Sequence, residues 1–519
     1  MINAVGREIP VKLAGYSKVI PFNGAFKYIV EGHSFEMRRP FRTVTGRRKV
    51  VASLKEAIRL TGLRDGMTVS FHHHLRNGDY VTNLVFETIR ELGIKDLKLA
   101  HSAIFDIHEP LLRHIQDSVI TRIETDWIGN GIGAKLFSGL TSETLHLAEP
   151  IKLLTHGGRA RRIESGDTRI DVAFIAAPSA DDYGNINGVD GPSACGSLGY
   201  AFPDSENADQ VVAVTDNLVP YPLPYISIDQ THVDYVVEVK KIGEPAGIES
   251  GATKRRSSPI NDIIAYYAAK VIDASGLLLN DVSFQTGTGG IALATTQHLR
   301  KIMASRNLVG SFGLGGITRD FVELLQEGRL RTILDVQCFD QESIHSLKES
   351  PNHIEIGASM YANPHSRGCA VNKLDISVLS AVEIDVNFNV NVTTSSEGII
   401  MGGSGGHSDS SAGSQLCVIT APMMRERIPI VVDTVTTITT PGETVDVLVT
   451  ERGVAVNPRR PELLGKIKEA GLPVVGIEEL RDITYKNCGR PKKLAFTDRI
   501  IAVQEYRDGT VIDVVRQTK

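Results

Sequence analysis

Much of what marks common chemistries is missing from this chain. Five cysteines (Cys195, Cys338, Cys369, Cys417, Cys488) are scattered over 519 residues, with no C-x-x-C pair and an odd total. That excludes a disulfide framework and fits reduced thiols in a cytoplasmic protein. No apolar run is long enough to span a bilayer; the longest, such as IPIVVD and VDYVVEV, are strand-sized. The N-terminal MINAVGREIPVKLAG lacks a secretory apolar core. Charge of one sign is absent too. Lys and Arg number 56 against 61 Asp and Glu, a formal net charge of −5, which gives no global case for a nucleic-acid or membrane partner. The local exception is RRPFRTVTGRRK (Arg38–Lys49), which either attracts a phosphate-bearing partner or is a solvated arm.

Catalytic strings are also missing. No G-K-[ST] follows a glycine-rich turn, and no complete GxGxxG with its acidic partner is present, which excludes a P-loop and a full dinucleotide fingerprint. There is no G-x-S-x-G elbow and no HRD or DFG set. HSAIFDIH carries His101 and His108 without metalloprotease spacing, so no metal is expected.

What is present is an ordinary globular composition, 42% hydrophobic and 23% charged, in a chain too long for one core. Residues 1–50 are polar and irregular and read as an arm wrapping a surface. From Ser53 onward helix-period and strand-length segments alternate, as in an open α/β sheet. SLKEAIRLTGL opens on a capping residue with Glu three positions on. GMTVSFH, VTNLVFETIRELG and DLKLAHSA continue the order strand, helix, strand. Linker composition in Lys240–Pro259 places a boundary there, giving domains 51–245 and 246–519. The second half restarts the alternation and is of similar size, without a clean internal repeat. The tail IAVQEYRDGTVIDVVRQ reads as a structural hairpin about its DG turn.

Glycine is clustered in three strings: QTGTGG (Gln285–Gly290), SFGLGG (Ser311–Gly316) and MGGSGGHSD (Met401–Asp409). Glycine admits positive φ and close approach to backbone amides, so such strings are either a crevice for a polar ligand or plain turns. QTGTGG ends an expected strand and opens an expected helix, the edge at which α/β domains bind ligands. Amides of Gly287, Gly289 and Gly290 would then favour an anion. His407 and Asp409 follow four glycines; Asp409 either orients a ligand or caps a turn. Glu397 is either a nucleophile or base, or a solvated loop residue. His72–His74 end a strand, where at most two of three alternating side chains share a face. With Arg76 and Asn77 they are substrate-site candidates, or they only cover the sheet edge. Arginine suits a two-pronged grip on carboxylate or phosphate. Trp127 reads as a core or interface residue, and GNGIG after it as a second nest facing the other domain.

The strings FHHHLRNGDYV, FDIHEPLLRHIQDSVITRIETDWIGNGIG, SFQTGTGG, SFGLGGIT and MGGSGGHSDSSAGSQL together resemble the citrate lyase alpha-subunit family, within the acetyl-CoA hydrolase/CoA-transferase superfamily. The resemblance covers nearly the whole chain. It implies an α/β fold: two similar CoA-transferase-like open α/β domains with the active site at their interface. It also implies transfer of an acyl-carrier-protein or CoA thiol from an acetyl thioester to citrate, releasing acetate. The expected partners are a lyase (beta) subunit and an acyl carrier (gamma) subunit in a cytoplasmic oligomer. No tightly bound cofactor is expected; acetyl-CoA, or the phosphoribosyl-dephospho-CoA arm of the carrier, is the co-substrate. The superfamily often uses a catalytic glutamate, which lies in an HTEM-like string in its 4-hydroxybutyrate/acetate branch. Here that place reads SFGL, with Gly313 at or beside the glutamate position. The departure favours direct exchange through a mixed anhydride. The expected backbone oxyanion donors are Gly287, Gly289, Gly405 and Gly406, with His407 and Glu397 as further catalytic candidates. His72, His73, Arg76, Asn77, Gln285 and Asp409 are the expected substrate contacts, and Gly290, Gly313 and Gly315 contacts to the thioester arm. The alternatives are a stand-alone CoA-transferase working through a glutamyl thioester, and a non-catalytic scaffold.

Overall fold

The computed structural model describes residues 1–27, 49–249, 258–287 and 289–519. The basic run from Arg38 to Arg48 and the middle of the expected linker lie outside the described residues. Two large, mainly parallel sheets organise the molecule. The first runs Val50–Val51, Tyr235–Glu238, Gln210–Thr215, Val172–Ala177, Thr68–Phe71, Leu97–His101, Ile120–Thr125 and Ile151–Leu153, then the hairpin Phe496–Glu505 and Val511–Thr518. The second runs His353–Glu355, Leu330–Cys338, Gly310–Ile317, Phe284–Thr286, Ile376–Ser380, Leu416–Thr420, Val447–Thr450 and Gly453–Val456. Strands such as VAFIAA (Val172–Ala177) are buried along their whole length, because parallel sheets are covered by helices on both faces. Among the described residues no helix is long and apolar enough to cross a membrane.

Both sheets have one topology. In each, the first strand of the alternation (Thr68–Phe71 or Phe284–Thr286) is central. The next three strands step outward on one side and the following three on the other. Small polar devices repeat with it. The carboxylates of Asp171 and Asp375 accept the amides of Thr68 and Ser283 at 2.7 and 2.8 Å. Those of Asp234 and Asp446 accept the amides of Val211 and Cys417 at 2.8 and 2.7 Å. Asp181 is held by Asn185, and Asp385 by Asn389, in matching tight turns. The halves are structural duplicates.

The expected division at the linker needs one correction. The terminal hairpin belongs to the first sheet, where Ala502, Val503 and Gln504 pair with Ile151, Lys152 and Leu153. Its apolar face also packs the N-terminal arm, with Ile9, Leu13 and Val19 against Val503, Val511 and Val514. The chain therefore returns to its first domain, driven by burial of that alternating face.

Candidate active site

The carboxyl ends of first-domain strands bring four polar side chains to the seam between the domains. His73 follows Thr68–Phe71, Ser102 follows Leu97–His101, Asp126 follows Ile120–Thr125, and His156 opens the helix His156–Glu164 after Ile151–Leu153. Tyr200 lies between two of them, its ring centroid 4.6 Å from His73 and 4.4 Å from His156. The Ser102 hydroxyl accepts the His73 amide at 3.1 Å and lies 2.6 Å from Nδ1. Among the described residues the hydroxyl has no other acceptor, so its proton goes to Nδ1 and Nε2 carries the ring proton. Burial holds this imidazole neutral, well below the usual histidine range. His156 Nδ1 lies 2.9 Å from a carboxylate oxygen of Asp126. Burial pushes the Asp126 carboxyl up, against the hydrogen bond from His156. The second domain closes the cluster. Tyr361 sits against Gly406 and accepts a hydrogen bond from Gln285 Nε2 at 2.9 Å, while Gln285 Oε1 is buried without a partner. Gln337 spans the seam to donate to the His73 carbonyl at 2.8 Å.

Arg76 is the most unusual charge in this region. Its φ is +52°, a region that non-glycine residues rarely occupy. Its guanidinium lies 5.1 Å from the Phe105 ring and 4.7 Å from that of Phe339, one from each domain. Only 9% of the residue is exposed, and its Nε is buried with no partner. Among the described residues no carboxylate meets it, and burial pulls its pKa down to about 10. A buried cation without a counter-ion is costly, and this one is poised to receive an anion.

The three glycine strings divide. At Gly287 and Gly289 a Cβ would meet only ordinary contacts, at 3.6 Å from Val378 O and 3.9 Å from Ser380 Oγ. The fold therefore does not demand glycine there. The helix Gly290–Ser305 starts at this turn, and its first amides have no intrahelical acceptor. Gly287 itself is excluded as a donor, because its amide is bound to the Val378 carbonyl at 2.8 Å. SFGLGG is no nest at all. It forms the interior of the strand Gly310–Ile317, where side chains at Gly313, Gly315 and Gly316 would collide with Phe321, Gln285 and Phe339. A glutamate at Gly313 would point into the helix layer. In the third string the Gly405 amide is likewise bound, to Asp126 O at 3.1 Å.

Other expected site residues are occupied by structure. His72 donates into a buried network, 2.8 Å from Asp204, which Arg159 also grips. Asn77 is exposed and accepts the Ile107 amide. Asp409 accepts from the Gly157 amide and Thr155 hydroxyl and pairs with Arg507, tying the domains together. Glu397 is exposed, in a turn whose Gly398 packs on Leu494, Phe496 and Thr518 of the terminal segment. The GNGIG nest is filled by the chain's own Asp106, which accepts the Ile132 amide. Asp79, His101 and His108 cluster closely enough for a metal. Their protons are already placed, however. Both histidines accept a backbone amide at Nδ1, leaving Nε2–H to donate to Thr82 and Asp79. A groove of about 1050 Å³ lies elsewhere, along Arg319, Arg331 and His345, and ion pairs already satisfy those charges.

His407 is locked at both nitrogens, 2.7 Å from Thr440 Oγ1 and 2.8 Å from the Ser380 carbonyl. Burial depresses its pKa to about 4, so proton transfer is not its role. An unfolded histidine takes up a proton near pH 6.5, while the folded one stays neutral to about pH 4. The unfolded state therefore binds more protons in that window, and stability falls as pH drops through it. At pH 5 the loss from this residue is about 2 kcal/mol relative to pH 7. In chemical unfolding His407→Gln should narrow the pH 7 to pH 5 difference by about that amount. Equal pH slopes for variant and wild type would contradict a neutral buried His407.

The architecture defines a class first. The alpha subunit of malonate decarboxylase from Acinetobacter baumannii superposes with a TM-score of 0.63 at 15% identity, over 86% of this chain and 94% of that one. At that identity the likeness carries the fold alone, a duplicated α/β molecule with two mainly parallel sheets. The family model for the citrate lyase alpha subunit matches residues 47–518. The citrate lyase alpha chain of Escherichia coli K12 is 49% identical over 472 residues, 91% of each chain. That of Klebsiella pneumoniae is 47% identical, over 91% of this chain and 92% of its own. The citrate lyase alpha subunit of Streptococcus mutans, solved in complex with citrate, superposes at a TM-score of 0.94 with 47% identity and full coverage of both chains. The chain belongs to the citrate lyase alpha-subunit family.

Proposed function

We propose that this chain is the transferase subunit of a citrate lyase complex. It exchanges citrate for acetate on a thioester carried by a CoA-like arm, and works beside lyase and acyl-carrier subunits. The observation that carries this reading is Arg76, a buried cation beside the polar cluster at the seam that meets no carboxylate among the described residues. A carboxylate of citrate docks there, in the two-pronged geometry guanidinium favours. Another citrate carboxylate, already ionised, attacks the acetyl carbonyl. Its C–O bond forms as the C–S bond breaks, giving a mixed citric–acetic anhydride and the arm's thiol. The thiol then attacks the citryl carbonyl and acetate leaves. This route asks for positioning and oxyanion donors, which the open helix start at Gly289–Gly290 and His73 Nε2–H supply.

No protein nucleophile enters. Among the described residues the polar tips at the cluster include no glutamate, Gly313 faces a helix, and Glu397 lies with the terminal hairpin. Incubating the pure chain with acetyl-CoA and citrate should yield citryl-CoA and acetate by mass spectrometry. Citramalate run in parallel establishes the acceptor. Hydroxylamine or borohydride trapping with peptide mapping should find no modified glutamate. No exchange with either acceptor would sink the reading, and stoichiometric labelling of one glutamate would replace it with the glutamyl-thioester route.

A further inference from the structure

We propose that His156, oriented by Asp126, is the residue that gives a proton to the departing thiol and takes it back; this rests on the acyl-exchange reading above. Asp126 is fully buried, and its Oδ1 has no partner. Its other oxygen meets His156 Nδ1. Nδ1 therefore keeps its proton, and Nε2 is the nitrogen left to do chemistry. That atom lies at Gly405, 3.3 Å from where a Cβ there would be, beside Tyr200 and 5.6 Å ring to ring from His73. The other histidines placed near the seam have their ring nitrogens engaged differently: His72 with Asp204, His74 with the Tyr200 amide, His407 at both ends.

The duplication supplies an internal control. The His156 amide donates across the seam to Gly405 O at 2.9 Å, and in the other half the Ala358 amide donates to Gly199 O at 2.8 Å. One strand back, the Leu154 amide meets Thr125 O, and the Ile356 amide meets Asp335 O. His156 therefore corresponds to Ala358, and Asp126 to Val336. The backbone arrangement needs neither polar residue, since the second half builds it with two apolar ones. Only the first half carries the pair.

The proton balance closes. As citrate oxygen bonds to the acetyl carbon, the C–S electron pair goes to sulfur, and Nε2–H of the imidazolium protonates it. In the second half-step Nε2 removes that proton as sulfur bonds to the citryl carbon. The C–O pair leaves with acetate, and the imidazolium is restored.

The test compares two acetyl thioesters with citrate as acceptor: acetyl-CoA, whose thiol leaves poorly without a proton, and S-phenyl thioacetate, whose thiolate leaves unaided. His156→Gln should slow acetate release from acetyl-CoA by about 10²- to 10⁴-fold and from the aryl thioester only a few-fold. Asp126→Asn, nearly isosteric, should show the same selective loss. Added imidazole should restore part of the activity of His156→Ala. Equal losses on both thioesters, together with no imidazole rescue, would show a purely structural residue and overturn the assignment. Absence of citrate-dependent turnover in the wild type would instead remove the acyl-exchange reading on which it stands.

Discussion

Gly289→Val leaves the protein folded and stops acyl exchange. The backbone of Gly289 has φ −70° and ψ 150°, a conformation valine adopts readily. Its Cβ would find Ser380 Oγ at 3.9 Å as nearest neighbour, so the expected stability change is within about 0.5 kcal/mol. What valine fills is the space over the first amides of the helix Gly290–Ser305. Losing one oxyanion donor costs about 10²- to 10³-fold in rate, and methyl groups that bar the thioester would cost more. Gly402→Val is the contrasting control. Its Cβ would start 2.2 Å from the Val392 carbonyl oxygen, so that variant should lose stability outright. Thermal unfolding with exchange kinetics separates the two. A folded Gly289→Val enzyme with near-normal turnover would remove this turn from the reaction centre.

Arg76→Met is expected to raise the citrate KM by about 10- to 100-fold, the equivalent of a charged hydrogen-bonded contact worth about 1.5–3 kcal/mol. The thioester KM should stay within a factor of two or so, on the same reasoning that a lost contact affects only the ligand it holds. The variant should also melt no lower than wild type, since it exchanges an unpaired buried cation for an apolar chain of similar length. Arg76→Lys keeps charge without the fork and should fall between. A residue that merely packs the seam would lower stability and leave citrate kinetics alone. A selective thioester defect would move Arg76 to the arm's site.

The alternation of strands and helices was legible because apolar spacing and caps are local. Ser53 does accept the Glu56 amide at 3.2 Å, and the DG turn does reverse the terminal hairpin, with Gly509 at φ +87°. Two similar halves were expected from their size and from the family resemblance, but no clean repeat was legible in the residues, since apolar residues interchange freely between the halves. Only the aspartates and asparagines that satisfy particular amides repeat: RIDV and KLDI, HVDY and TVDV. LVGSFGL reads as a strand and is one, Gly310–Ile317; only the nest reading of SFGLGG fails, because its three glycines let Phe321, Gln285 and Phe339 press onto that strand. Arg76, His73 and Gln285 could be picked out at strand ends. His156, Asp126, Ser102, Tyr200 and Tyr361 could not, because each is a single polar residue outside any recognisable string, His156 and Tyr361 on helices and the others after strands or in a loop. Strand order alone brings them together. LTHGG directly after the strand Ile151–Leu153 was the one local hint.

In the proposed mechanism citrate exchanges directly with the thioester, with no protein carboxylate between them. A single turnover with carboxyl-¹⁸O citrate, acetyl-CoA and enzyme in excess tests this most directly. In the direct route the anhydride's bridging oxygen comes from citrate and leaves with acetate. The first acetate formed should therefore carry one ¹⁸O, and every glutamate of the chain should remain unlabelled. Unlabelled acetate together with ¹⁸O in a glutamate side chain would contradict the account.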